Sequence, residues 1–324
     1  MKVALDVSPL RLTRAGSARY VLGLREALRG RVDVDELAWA GGGRATAGLR
    51  DALWYPFALP RAARGADLLH CTTFRGPPLR SPVPLVVTVL DLSVLRYPRL
   101  FNRWTRAYSR LAVPRVVRVA RRLIAISEFT KRELVDLLDV DPERVHVIGV
   151  PARPGLSPEG ERADGEYVLA VGTIEPRKNL ARAAEAARRA GVELRVAGAR
   201  GWGDVATNGV RWLGEVSDDE LARLLRGARA LVYPSLYEGF GIPILEAMAV
   251  GTPVVTSAGG ATEEVAGGAA VLVDPLDPGS IAAGIEEADR RREELRPRGL
   301  ERAAAFTWDD VAERTIAVYR EALG

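Results

Sequence analysis

The stretch Glu238-Gly239-Phe240-Gly241-Ile242-Pro243-Ile244-Leu245-Glu246-Ala247-Met248-Ala249 decides how this chain is read. It predicts a glycine-bracketed loop running into a helix. Pro243 pre-sets φ for a first helical turn, and the residues after it favour helix. Gly239 and Gly241 let the backbone come close to a ligand. The free N–H groups of a helix start attract anions. Two glutamates stand eight positions apart, Glu238 in the loop and Glu246 in the helix. Backbone donors suit a phosphate, and carboxylates accept hydrogen bonds from hydroxyls. A ligand carrying both is a nucleotide sugar. The plainer alternative makes Glu238 a helix cap and Glu246 a solvated helix residue.

A second stretch, Val171-Gly172-Thr173-Ile174-Glu175-Pro176-Arg177-Lys178-Asn179, follows a predicted strand and opens a helix. Gly172 permits close approach, while Arg177 offers a planar fork for phosphate and Lys178 a compact point charge. The chain has only three lysines, Lys2, Lys131 and Lys178, so one placed here is suggestive.

The stretch 238–249 closely resembles the signature of the family-4 retaining glycosyltransferases, and 171–179 resembles their donor-diphosphate motif. These are two-domain enzymes of the GT-B architecture. The resemblance is strong over residues 166–275, fair over 84–150 and weak over 30–65. It implies an α/β fold of two doubly wound, Rossmann-like parallel-sheet domains facing a cleft. Glu246 would bind the ribose hydroxyls and Glu238 the donor sugar. Arg177 and Lys178 would stabilise the leaving diphosphate, with backbone groups near Gly241 and Ile242. Gly172, Thr173 and Phe240 belong to the same donor set, and the base would rest near Val216. Gly16, after the first strand, would face the donor phosphates, although the usual glycine pair is missing. After the strand at 85–90 the family usually shows His-Asp. Here Asp91 remains, as a catalytic or orienting residue, but Leu90 replaces the histidine. That change disfavours a donor sugar with a C6 hydroxyl and favours a 6-deoxyhexose or pentose.

Short apolar runs at 3–5, 68–71, 85–90, 123–126 and 145–148 predict buried parallel strands. Helical patterns lie between them near 17–28, 101–119 and 128–138. A second series of strands is expected at 167–171, 194–196, 210–213, 230–233, 254–256 and 271–273. Strand–helix alternation argues for doubly wound domains. Prolines and glycines crowd residues 151–165 and mark a linker. The expected division is residues 1–155, an acceptor domain; 156–305, a nucleotide-sugar domain; and 306–324, a helix returning to the first. Ser217 is expected to cap the helix that follows it, with Glu220 as its capping-box partner.

The 324 residues are 48% hydrophobic but only 6% aromatic, so aliphatic residues and alanine must fill the cores. Cys71 is the only cysteine, which fits a reducing cytoplasm. No apolar run reaches the length of a membrane span. No histidine–cysteine–acid cluster has metal-ligand spacing. Asp33-Val34-Asp35 and Asp139-Val140-Asp141 match a short metal motif by coincidence. Residues 201–206 only loosely mimic a dinucleotide loop. The expectation is therefore no metal and no cofactor beyond the nucleotide-sugar co-substrate.

The net charge of +4 and pI near 9.4 hint at an acidic partner. Residues 96–122 hold nine arginines and no acid. Phe101, Trp104, Tyr108 and Leu111 recur there at helical spacing, with Arg103, Arg106 and Arg110 beside them. Such a helix suits an anionic membrane surface or a diphosphate-linked acceptor, or else it is a core helix with a solvated basic face. The expected protein is a cytoplasmic, metal-independent transferase, peripheral on the inner membrane face if that helix docks. Its acceptor would be a glycan, a lipid-linked molecule or a small molecule. The competing readings are a basic, non-enzymatic membrane or nucleic-acid binder and an epimerase of nucleotide sugars. Nucleic acid is not the expected partner.

Overall fold

A computed structural model describes residues 1–12, 16–41, 46–201 and 209–324. The chain divides into two compact units, Met1–Val150 with Thr307–Gly324, and Pro151–Phe306. The division falls at 150/151 and 306/307, a few residues from the expected breaks.

The first unit is built on a six-stranded sheet in the order β2-β1-β3-β4-β5-β6. The strands are β1 (Lys2–Asp6), β2 (Asp33–Leu37), β3 (Leu68–Cys71), β4 (Leu85–Val89), β5 (Arg122–Ala125) and β6 (Val145–Val147). The second unit has the order β12-β11-β10-β7-β8-β9. Its strands are β7 (Tyr167–Val171), β8 (Glu193–Ala197), β9 (Val210–Gly214), β10 (Leu231–Tyr233), β11 (Val254–Ser257) and β12 (Val271–Val273). Every pairing between them is parallel. Most central strands are buried along their whole length, for example β4 and β7, as a sheet covered on both faces requires.

In each sheet the chain grows outward on one side of its first strand and then crosses to the other. The reversal lies between β1 and β3 in the first unit and between β7 and β10 in the second. Open α/β sheets bind ligands beyond the carboxyl ends of the strands at such a reversal. Asp6 and Cys71 are register partners at that point in the first unit. In the second unit β7 ends at Val171, just before Gly172, and β10 ends at Tyr233.

The core of the second unit is largely valine and alanine, including Val168, Val196, Val232 and Val255 on the sheet and Ala183, Ala186 and Ala187 on helix Leu180–Arg189. The last helix, Trp308–Leu323, belongs to the first unit and packs on helix Gly16–Leu28. Gly23 makes that contact possible, because a Cβ there would lie 2.1 Å from the Trp308 ring. A buried chain of hydrogen bonds ties the last helix down further. His70 Nδ1 lies 2.7 Å from the Tyr319 hydroxyl and His70 Nε2 lies 2.8 Å from Thr88 Oγ1, which is 3.0 Å from the Tyr20 hydroxyl. Burial lowers the His70 pKa to about 3, so it is a neutral structural imidazole.

Helix Arg103–Val119 shows which of its faces packs inward. Its buried face is Ser109, Ala112, Val113, Val116 and Val117, not the aromatic stripe. Trp104 and Leu111 are 51% and 60% exposed. Arg103 and Arg110 are exposed, and Arg106 is half-buried. No helix among the described residues is long and apolar enough to cross a membrane.

Candidate active site

The loop after β7 forms a short 3-10 turn, Pro176–Lys178, and Asn179 then takes a left-handed conformation at φ 59°. Asparagine tolerates that region better than most residues. Its side-chain amide donates to the Pro234 carbonyl at 3.0 Å and the Pro275 carbonyl at 2.6 Å, so it stitches three loops together. The backbone N–H of Leu236 donates to the Arg177 carbonyl at 2.8 Å, which joins the loop after β7 to the loop after β10. Beneath them Gly198, just past β8, sits against Gly172. A Cβ on Gly198 would lie 1.9 Å from the Gly172 carbonyl oxygen.

Those loops bring five side chains together. Lys178 Nζ donates to Glu238 Oε1 at 2.6 Å and to the Tyr233 hydroxyl at 2.6 Å, and that hydroxyl donates to Glu238 Oε1 at 2.9 Å. Arg177 Nη1 donates to Glu238 Oε2 at 2.6 Å, and its Nη2 lies 2.5 Å from Glu175 Oε1. Glu175 and Glu238 are buried. Burial alone would raise the Glu238 pKa. The Arg177 and Lys178 charges outweigh it and hold the carboxyl at about 2, so Glu238 is a carboxylate at neutral pH. Burial pulls the Lys178 pKa down against the Glu238 charge. Two cations are thus held ready over two carboxylates. Removing one partner of a buried pair leaves the other charge uncompensated, so Glu238, Arg177 and Lys178 depend on one another.

Helix Ile242–Ala249 starts at Gly241, which has φ 112°, a region that side chains other than glycine rarely adopt. Gly241 is buried and Ile242 half-buried at the helix start. Phe240 is buried and stands edge-on to Phe306, with ring centroids 5.7 Å apart; it packs the loop. Glu246 faces inward and is 0% exposed, so the solvated alternative fails. Its Oε1 accepts from Arg153 Nε at 2.8 Å, and Arg153 also pairs with Asp218 at the start of helix Asp218–Gly227. Gly172 and Thr173 are half-buried in the loop after β7. Val216 lies further off, on a cavity of about 380 Å³ with Arg195, Arg211, Glu220 and Arg223. Ser217 accepts from the Glu220 N–H at 3.2 Å as expected of a cap. The Glu220 carboxylate turns to Arg223 instead of completing the capping box.

Asp91 and Gly16 lie in the first unit. Asp91 Oδ1 accepts from the Ser93 N–H and hydroxyl at 2.9 and 2.5 Å, closing a turn. Leu90 is half-buried beside it, and Gly16 is exposed at the start of its helix. Residues 13–15 and 202–208, in the loops singled out around Gly16 and after Gly201, lie outside the described residues. The reversal in the first sheet carries a residue that the sequence did not mark. Asp6 is fully buried, Ser8 holds its Oδ1, and its Oδ2 has no partner among the described residues. Burial raises its pKa to about 6. No group of metal-binding side chains occurs among the described residues.

Sequence reasoning also missed Tyr233, Glu175 and Arg153. Glu175 stands inside the quoted motif, and its burial was the missing signal. Tyr233 and Arg153 reach their partners across the fold, from 55 and 93 positions away.

Residues 157–303 match the family described as glycosyl transferases group 1, and residues 14–151 match glycosyltransferase family 4. The chain is 31% identical over 280 residues to the O-antigen chain mannosyltransferase B of Escherichia coli, covering 76% of this chain and 74% of that protein. Among solved structures it resembles a sucrose-phosphate synthase from Thermosynechococcus elongatus, with a TM-score of 0.77 and 20% identity, over 99% of this chain and 98% of the other. It also resembles Anabaena HepE in complex with UDP and glucose, with a TM-score of 0.74 and 17% identity, over 98% and 99% of the two chains. Two parallel sheets that each reverse their strand order, both family matches and the mannosyltransferase relative lead to one assignment: the chain belongs to the family-4 glycosyltransferases and has the GT-B fold.

Proposed function

We propose that this glycosyltransferase is retaining and metal-independent, and takes its sugar from a nucleoside diphosphate. The observation that carries the reading is the Arg177–Lys178–Glu238–Tyr233 cluster at the reversal of the second sheet. Negative charge grows on the diphosphate as the glycosidic bond to it breaks. Cations aimed in advance at that charge give the largest single catalytic term. Arg177 and Lys178 would transfer part of their pairing from Glu238 to the diphosphate. Glu238, released from them, can accept a hydrogen bond from a donor-sugar hydroxyl. No general base for the acceptor is identified among the described residues. The acceptor's proton then passes to the departing phosphate oxygen, on the same face that the sugar leaves. The new bond forms where the old one broke, and configuration is retained.

HepE holds UDP and glucose, and the Escherichia coli relative is named as an O-antigen chain mannosyltransferase. Both support a nucleotide-sugar donor and a glycan acceptor here. A mannosyl donor carries a C6 hydroxyl, so the relative weighs against the donor preference inferred from Leu90. Turnover of UDP-, GDP- and ADP-sugars in excess EDTA tests the proposal. Full activity is expected with one of them. Loss of turnover in EDTA, restored by magnesium or manganese, would contradict it.

The first unit also favours an anionic membrane surface as a partner. Leu49, Leu53, Phe57, Trp104 and Leu111 are all large, apolar and roughly half exposed. Trp104 Nε1 donates to Asp51 Oδ2 at 3.1 Å, so the two helical segments that carry them adjoin. Arg103, Arg106 and Arg110 flank the patch. Exposed apolar side chains with arginines on the same helix suit the headgroup region of anionic lipid. In vesicle flotation the protein should rise with anionic vesicles and stay behind with neutral ones. Equal partitioning, or none, would rule the surface out.

A further inference from the structure

Arg153 lies just after the start of the second unit, and nothing in the family signature points to it. Its side chain is 10% exposed, and it reaches the wholly buried Glu246. The guanidinium carries five N–H donors in a fixed plane. Nε donates to Glu246 Oε1 at 2.8 Å and Nη1 pairs with Asp218, while Nη2 is buried and has no hydrogen-bond partner among the described residues. Nε and Nη2 share one edge of the guanidinium, so the idle donor points along the same side as the bond to Glu246. A buried donor left unmatched costs free energy, and Arg153 is held in that state by two carboxylates.

A hydroxyl group matches this arrangement, because it accepts through its oxygen while it donates its proton. Seated at the edge of the pair, it would accept from Arg153 Nη2 and donate to the Glu246 carboxylate. A carboxylate alone binds any hydroxyl that reaches it. A carboxylate with a fixed donor beside it selects a hydroxyl at one place and orientation. We propose that Arg153 is a specificity-determining residue of the donor site: with Glu246 it forms a donor–acceptor pair that recognises a ribose hydroxyl, and so makes the enzyme discriminate ribonucleotide from deoxyribonucleotide donors. The inference rests on the assignment of Glu246 to the ribose. Arg153 touches the nucleotide in this account and takes no part in bond breaking.

Calorimetric titration of the full chain tests it, using the preferred nucleoside diphosphate and its 2′-deoxy and 3′-deoxy forms. The wild type should bind the ribonucleotide about tenfold or more tightly than one of the deoxy forms, since a site built around a hydroxyl rejects the analogue that lacks it. Arg153→Ala should weaken the ribonucleotide by a similar factor and leave that deoxy form within about twofold, so the ratio collapses. Arg153→Lys keeps a cation beside Glu246 but loses the fork, and it should also collapse the ratio while preserving the fold. Failure of the wild type to bind any nucleoside diphosphate would overturn the donor-site assignment and this inference together. Tight binding with an unchanged ratio in both variants would overturn the Arg153 inference alone.

Discussion

Replacing Lys178 by alanine should lower kcat by about a hundredfold to a thousandfold and change KM little. Removing one donor aimed at developing charge costs about that much where the site is preorganised. The split follows from when the charge appears. The bound donor already carries its diphosphate charge, shared with Arg177 and the backbone, so ground-state binding survives. The extra charge of the departing diphosphate exists only in the transition state, and an interaction made only there affects kcat and kcat/KM alike. Lys178→Arg should recover little, because a planar fork does not replace a point charge wedged between Glu238 and the Tyr233 hydroxyl. Steady-state kinetics with saturating donor provide the check. A variant with unchanged kcat and a raised KM would mean that Lys178 only holds the donor.

Gly198→Val should give the largest loss of stability, and it should do so through the active site. The added Cβ would lie 1.9 Å from the Gly172 carbonyl oxygen and 2.6 Å from its carbon. Backbone cannot rotate away as a side-chain tip can, so the loop that carries Arg177 and Lys178 must move. Overpacking of this kind costs about 1–3 kcal/mol and sometimes more. At the upper end the melting temperature should fall by about 6–12 °C for a unit of this size. Thermal melting with and without nucleoside diphosphate reads both consequences: a lower midpoint, and a smaller rise in it on adding ligand. A variant that melts within a degree or two of the wild type and binds nucleotide normally would show that the two loops tolerate separation.

Much of the fold was legible because its strands are buried on both faces and read as short apolar runs. The strands at residues 167–171 and 271–273 match the expected limits to the residue. The edge strand β2 was not legible beyond its start, since Asp33, Asp35 and Glu36 leave it no apolar run. The helical segment Arg50–Ala58 was hidden by its Pro56. Helix Arg103–Val119 was placed to within two residues of its start, but which face packs inward was left open. Large residues dominate a hydrophobic pattern, whereas the face that packs on the sheet is made of small ones, Ser109, Ala112 and the valines. A helix close to a sheet needs small residues there, and that need shows only in three dimensions.

The donor-side residues were legible where the motif is local. Glu238, Arg177 and Lys178 stand in two short stretches, and folding adds only that the stretches meet. What the sequence withheld is how they are matched. Tyr233 ends a strand as an ordinary aromatic residue, yet its hydroxyl shares Glu238 with Lys178. Gly198 is one glycine among 32, and its contact with the Gly172 carbonyl shows only in the fold. Arg153 sits in a stretch whose prolines and glycines suggest nothing but a linker. Pairings across such distances depend on topology, because the reversal in the second sheet sets the ends of β7 and β10 side by side.

The central claim is that a nucleotide sugar is used with same-face chemistry and without a metal, and the anomeric configuration of the first-formed product tests it most directly. The measurement is a proton NMR time course in excess EDTA with an α-linked nucleotide sugar, read before any anomeric equilibration. The α-glycoside should appear as the donor disappears. A β-glycoside as the first product would contradict it.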